Sequence, residues 1–183
     1  MTDLRSGMLI VATPKLADPN FVRTVVFIID SGEHGAVGMV LNRALDLDAA
    51  DHVPAWTSQL APPSRIFEGG PVQRETAIGV AFRPGIAASE TWHPVLGGVG
   101  LVDVSVDPAG YDGLAEARIY SGYSGWAAGQ LEVEMAVGSW FGVDATPDDV
   151  FDPEPATLWR RVLRRQGGQM ARHADYPADP RSN

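Results

Sequence analysis

Val25-Val26-Phe27-Ile28-Ile29, followed by Gly32-Glu33-His34-Gly35 and then Val37-Gly38-Met39-Val40-Leu41, is the stretch on which the fold turns. Its first five residues are aliphatic or aromatic, mostly β-branched, and lack polar alternation. That pattern describes a central strand covered on both faces. Two glycines flanking Glu33 and His34 supply a turn, and the second apolar run returns beside the first as a hairpin.

Upstream, Met8-Leu9-Ile10-Val11-Ala12 reads as another buried strand, ended by Pro14, which has no N–H to give to a ladder and restrains Thr13. Leu16 to Phe21 carries turn chemistry. Downstream, Ala44 to Ser64 is polar and punctuated by prolines, with a short helix predicted over Ala55 to Leu60. Strands are expected at Arg65 to Phe67, Thr76 to Phe82, Val99 to Val106 and Ala117 to Tyr120, the last running into Gly122-Tyr123-Ser124-Gly125-Trp126. Leu131 and Met135, with Ala128 one turn earlier, form the stripe of a core-facing helix that Gly138 ends. Ser139 to Val143 suits a further strand. Thr146-Pro147-Asp148-Asp149 offers an N-cap, a proline at the first helical position and acids in the first turn. Pro155 to Gln166 places Leu158, Trp159, Val162 and Leu163 on one helix face and four arginines on the other, with Gly167-Gly168 as the stop. Many strands with late helices predict an α+β fold. Residues 1–170 read as one domain and 171–183 as a flexible polar tail.

The chain has 183 residues, 45% of them apolar, which is enough for a substantial core. It contains no cysteine, so disulfides, thiolate metal sites, iron–sulfur clusters and a cysteine nucleophile are excluded. A formal net charge of −9 disfavours binding to nucleic-acid phosphates except where cations are locally concentrated. Met1 to Ser6 lacks the apolar core of a signal peptide, and runs such as Val25 to Ile29 fall far short of the ~18 residues of a membrane span. A cytoplasmic protein with no membrane contact and no cofactor is expected.

Four segments together resemble the bacterial YqgE/AlgH family. They are Gly7 to Pro14 continuing through Asp18-Pro19-Asn20-Phe21-Val22-Arg23-Thr24-Val25-Val26; Gly35 to Leu41 with Asn42-Arg43; Gly69-Gly70-Pro71-Val72; and Gly122-Tyr123-Ser124-Gly125-Trp126-Ala127-Ala128-Gly129-Gln130-Leu131-Glu132. Their order and spacing carry the resemblance, and Leu158 to Gly168 also matches the ending of some members. Members often have His at the position of Ser31, Pro at Ala44 and Ala at Ser124, which argues against essential chemistry at those three residues. The resemblance implies a strongly curved, bifurcated, mixed or antiparallel sheet that forms a pseudo-barrel with helices packed on it. It implies no catalytic residues. A transcriptional-regulator label travels with the family as a genetic association and not as a binding mechanism.

Several residues are candidates for a site. Gly122, Tyr123, Ser124, Gly125, Trp126, Gly129 and Gln130 are expected at a strand–turn–helix junction whose free N–H groups could take a phosphate or carboxylate. The spacing fits neither the dinucleotide nor the triphosphate glycine loop, so the structural alternative is that these glycines permit a tight turn and close packing. Ser124 lacks the G-x-S-x-G spacing of a nucleophile elbow, and none of His34, His52, His93 and His173 is singled out as its base. Glu132 and Glu134, two apart on a helix, point nearly opposite ways and read as solvated charges. The scattered histidines give no metal-ligand spacing. Asn42 and Arg43 could bind a ligand or close a turn by hydrogen bonding. Arg160, Arg161, Arg164 and Arg165 could dock a partner or nucleic acid, or pair with the chain's many acids. No catalytic constellation emerges. The leading expectation is a non-enzymatic regulatory or accessory protein acting through a protein partner or small ligand. The alternative is an anion- or nucleotide-binding protein, or an enzyme, using 122–130.

Overall fold

Strands β1 (Met8–Ala12), β2 (Val25–Gly32) and β3 (Gly35–Val40) begin an antiparallel sheet in a computed structural model that describes residues 3–178. The β2–β3 pair is the expected hairpin, with Gly32 opposite Gly35. Leu9, Val11, Val25 and Phe27 enter one core, while Met8, Ile10, Ala12, Val26 and Ile28 enter a second on the other face, all of them fully buried. The absence of polar alternation in both strands is thus explained by two apolar layers.

Seven further strands follow: β4 (Ala44–Asp48), β5 (Arg65–Glu68), β6 (Val72–Phe82), β7 (Trp92–Leu96), β8 (Val99–Val102), β9 (Glu116–Ala127) and β10 (Trp140–Asp144). The main path runs β10-β1-β2-β3-β9-β6-β8-β7 among the described residues. Strand β9 is where the sheet forks. Its early residues pair antiparallel with β6 and parallel with β5, and Ser124 to Ala127 pair with β3. The expected α+β class with a forked, mixed sheet is what the chain adopts.

Some expectations are corrected. Strands β4 and β7 lie outside the sequence reading, and β7 contains Pro94, tolerated because this strand ends the path and needs no ladder donor on its free side. The strand expected to reach Val106 stops at Val102, where the Asp103 carboxylate accepts from Ser105 N and Oγ and turns the chain. The short helix expected at Ala55 to Leu60 is a 3-10 helix at Pro54–Gln59, and a four-residue helix α1 (Ala49–His52) precedes it. Helices α2 (Gln130–Ala136), α3 (Pro147–Val150, with its capping box) and α4 (Pro155–Gln166) stand where predicted. A fifth, α5 (Gly168–His173), follows, and Ala174 is fully buried, so the expected loose tail does not begin at residue 171. The rest of that expectation, 179–183, lies outside the described residues.

Helix α4 buries Leu158, Trp159, Val162 and Leu163 in the first core, at about 1.5–3 kcal/mol for each side chain. A charged residue supports this layer from below. Arg118 on β9 is 1% exposed, lies 4.3 Å over the Phe67 ring, and donates to the carbonyls of Val150 and Asp152, both at 2.9 Å, and of Pro62. Three carbonyl oxygens thereby replace water around a buried cation and tie the α3–α4 connection to the sheet. Arg118→Met strands all three acceptors, and chemical denaturation should show a loss of about 3 kcal/mol or more. A loss below about 1 kcal/mol would mean that they find other donors.

The Tyr120 hydroxyl is also buried without an aligned hydrogen bond. Desolvation pushes its pKa up to about 12, against the opposing pull of the nearby Arg118 cation. Because the folded value lies above the ordinary tyrosine value of 10, the unfolded chain releases this proton first. The contribution to stability is complete below pH 10 and is lost as pH rises toward 12. Unfolding free energy should therefore fall over that window, by up to about 1.4 kcal/mol per pH unit from this group. Tyr120→Phe should remove that share of the slope, and identical slopes in the two proteins would contradict the assignment.

Candidate functional site

Residues just past β3 hold the bend that leads into β2. The Asn42 side chain accepts from Val25 N and donates to Arg23 O, both at 2.9 Å. Arg43 donates to the carbonyls of Asn20 at 2.6 Å, Pro19 at 3.0 Å and Val22 at 3.3 Å. Clamped at both ends, Arg23 sits in the left-handed region with φ 55°, a conformation that costs a non-glycine residue about 1 kcal/mol or more. Its guanidinium lies 4.4 Å from the centroid of Trp159 and donates to Tyr176 O at 3.1 Å. Trp159 is itself fixed, its indole N–H donating to Ala12 O at 2.9 Å.

Next to Arg23 stands the exposed Arg160 of α4. Burial first, and then the Arg160 cation, push the Arg23 guanidinium below its ordinary pKa, although it stays charged. Two hollows open here. One of about 430 Å³ is lined by Arg23, Asn42, Arg43, Thr157, Trp159 and Arg160 among others. A more apolar one of about 440 Å³ shares Arg23, Trp159 and Ala178 with it and continues along Pro14, Leu16, Val22 and Tyr176. The two form one cleft with a cationic end and an apolar end. The sequence names Arg23 within a family segment and Trp159 on the core face of a helix, and marks neither as a site residue, because an Arg before an apolar strand looks like any solvated bend.

The glycine-rich segment is built differently from the sequence expectation. Gly122 and Gly125 lie inside β9, not in a strand–turn–helix junction, and only Gly129 (φ 75°) precedes α2. A Cβ on Gly122 would meet Val72 O at 2.6 Å and Gly70 O at 2.8 Å. One on Gly70 would meet the Tyr123 carbonyl at 2.3 Å. These glycines let two backbones cross. Ser124 is fully buried and its hydroxyl donates to Gly69 O at 3.1 Å, out of reach of solvent. Tyr123 packs against the first core and Trp126 against the second. Gln130 accepts from Ala127 N at 3.0 Å and donates to Glu134 at 2.9 Å. Glu134 is not a freely solvated charge, since its other oxygen accepts from the indoles of Trp126 at 3.1 Å and Trp140 at 2.8 Å.

Of the four helix arginines, three are engaged. Arg161 pairs with Asp152, Arg164 with Asp175 at 2.9 Å, and Arg165 with Asp149 through two hydrogen bonds of 2.7 and 3.0 Å. Arg160 has no ion pair among the described residues, and it alone of the four lines the cleft. The structure thus brings Asn42, Arg43 and Arg160 together and leaves 122–130 apart from them. Among the described residues no group of three or more His, Asp or Glu is placed to hold a metal, and no helix is long and apolar enough to cross a membrane.

The two glycine roles separate by substitution. Gly129→Ala meets nothing within 4 Å and should cost about 1–2 kcal/mol of left-handed strain. Gly122→Ala adds a clash with two carbonyl oxygens and should cost several times more in thermal or chemical melts. Equal losses would mean that the crossing can relax.

Comparison with known proteins agrees with this architecture. The AlgH-like (DUF179) family model matches residues 9–171. A UPF0301 protein of Streptomyces coelicolor is 46% identical, with 100% of this chain and 98% of the relative covered. One from Thermobifida fusca is 40% identical over 97% of this chain and 95% of its own length. A crystal structure from Corynebacterium diphtheriae superposes with a TM-score of 0.89 at 27% identity, covering 96% of this chain and 94% of the other. The solution structure of the AlgH protein of Pseudomonas aeruginosa gives 0.69 at 28% identity, covering 98% and 100%. With its four signature segments meeting in pairs on a forked and strongly curled sheet, the chain belongs to the AlgH-like family.

Proposed function

We propose that this chain is a non-enzymatic, cytoplasmic accessory or regulatory protein, acting as one domain, that responds to a small ligand bound in the cleft between the Asn42–Arg43 corner and α4. The observation that carries the reading is the placement of Arg23. A strained backbone held by dedicated hydrogen bonds aims a cation across Trp159 toward a second cation, at the mouth of a cavity of ligand size. Outliers of this kind persist where surrounding structure enforces them, and packing alone gains nothing from two adjacent guanidinium groups. The regulatory half of the reading rests on the label that accompanies the family. Direct contact with nucleic acid is a poor fit, because three of the four α4 arginines are already paired and the chain carries a net −9.

A thermal-shift screen of anionic and neutral metabolites tests this. Anionic compounds should stabilise the native chain, by about 2.7 kcal/mol at a hundredfold excess over Kd. Arg160→Glu should abolish that gain while leaving the unliganded melting temperature within about 2 °C. Equal stabilisation of the variant would place the ligand elsewhere, and reproducible turnover of any compound would overturn the non-enzymatic part.

A further inference from the structure

The composition of the cleft narrows the chemistry of its ligand, on the reading that it is a ligand site. Most polar side chains that line the cationic end are already committed. Asn42 uses both ends of its amide on the backbone, Arg43 spends its terminal nitrogens on three carbonyls, and the Thr157 hydroxyl donates to Glu154 O and accepts from Arg161. What remains is Arg23, which makes one hydrogen bond, and Arg160, which makes none among the described residues. Each guanidinium offers five N–H donors, so the mouth presents many charge-assisted donors and, among the described residues, no side-chain acceptor that lacks a partner.

Charge sets the head group. Burial and then the neighbouring Arg160 cation lower the preference of Arg23 for its charged form, and among the described residues no carboxylate lines either hollow. A monoanion neutralises one of them and leaves the other. A phosphomonoester carries close to two charges at neutral pH and three acceptor oxygens, enough to bridge both. Shape sets the rest of the molecule. Beyond Arg23 the cleft runs over Trp159 into the hollow lined by Pro14, Leu16, Ala17, Val22, Tyr176 and Pro177, which is apolar and about 440 Å³ in volume. Inorganic phosphate leaves this end unfilled.

We infer that the ligand is an organic phosphomonoester with a compact apolar or aromatic body, its phosphate between Arg23 and Arg160 and its body along Trp159 toward Leu16 and Val22.

Isothermal titration of the full chain with 1-naphthyl phosphate, 1-naphthoate, 1-naphthol and inorganic phosphate tests each element separately. Naphthyl phosphate should bind at least about tenfold more tightly than the other three. Arg160→Ala should reduce its affinity about tenfold or more and draw it toward that of naphthoate. Val22→Ser, a neutral polar replacement at an exposed bend position, should weaken naphthyl phosphate and change inorganic phosphate far less. Naphthoate binding as tightly as the phosphate, with both weakened by Arg160→Ala, would overturn the head-group assignment while the cleft survives as a ligand site. Naphthyl phosphate binding that Arg160→Ala and Val22→Ser leave untouched would overturn the phosphomonoester site and the cleft together, as would no binding by any of the four probes.

Discussion

The hydrogen bonds from Asn42 and Arg43 to the Pro19–Val25 bend are the constraint on which the cleft depends. They join two of the signature segments that are far apart in sequence, the one ending β3 and the one entering β2. A bend carrying turn residues can take many shapes, and its backbone groups would otherwise be satisfied by water. With five carbonyl and amide groups taken by two side chains, one shape is selected, and that shape holds Arg23 in a conformation it would not choose alone. The bend sets where the Arg23 side chain leaves the backbone, and the contact with Trp159 and the hydrogen bond to Tyr176 O set where its guanidinium ends.

A second pair of signature segments meets on the other side of the sheet's branch. Gly69 and Gly70 pass so close to Gly122, Tyr123 and Ser124 that no side chain fits between them. That crossing lets β9 serve β6, β5 and β3 and so produces the fork. Arg118, two residues into β9, anchors the α3–α4 connection from beneath, and the ion pairs of Arg161 and Arg165 with Asp152 and Asp149 hold it from above. Helix α4 is thereby fixed in angle as well as in depth. Trp159 and Arg160 reach the cleft because of it. The two halves of the signature are thus scaffolding of different kinds, one for the sheet's shape and one for the mouth of the cleft.

Much of this was legible in the chain. Unbroken apolar runs at Met8–Ala12 and Val25–Ile29 announce strands covered twice, the stripe at Leu158, Trp159, Val162 and Leu163 announces a docked helix, and Thr146-Pro147 announces a helix start. What was not legible depends on partners distant in sequence. The glycines at 122 and 125 look like a phosphate-binding turn because glycine permits both a turn and a close crossing, and only the location of Gly70 decides between them. The arginines of α4 look like a basic face because their acids, Asp149, Asp152 and Asp175, lie outside the helix. Glu134 looks solvated because the indoles that bind it arrive from β9 and β10. Arg23 stood in a family segment with nothing to mark it as a site residue, since its role depends on a backbone angle and on partners distant in sequence.

The central claim is that the ligand face lies at the Arg23–Arg160 cleft and that the glycine segment is structural. Amide chemical-shift mapping of the labelled chain during titration with an anionic aromatic compound tests this most directly. The predicted result is a set of perturbed resonances at Leu16, Val22, Arg23, Arg43 and Ala156 to Arg160. Perturbations centred on Ala127 to Leu131, with the cleft resonances unmoved, would contradict it.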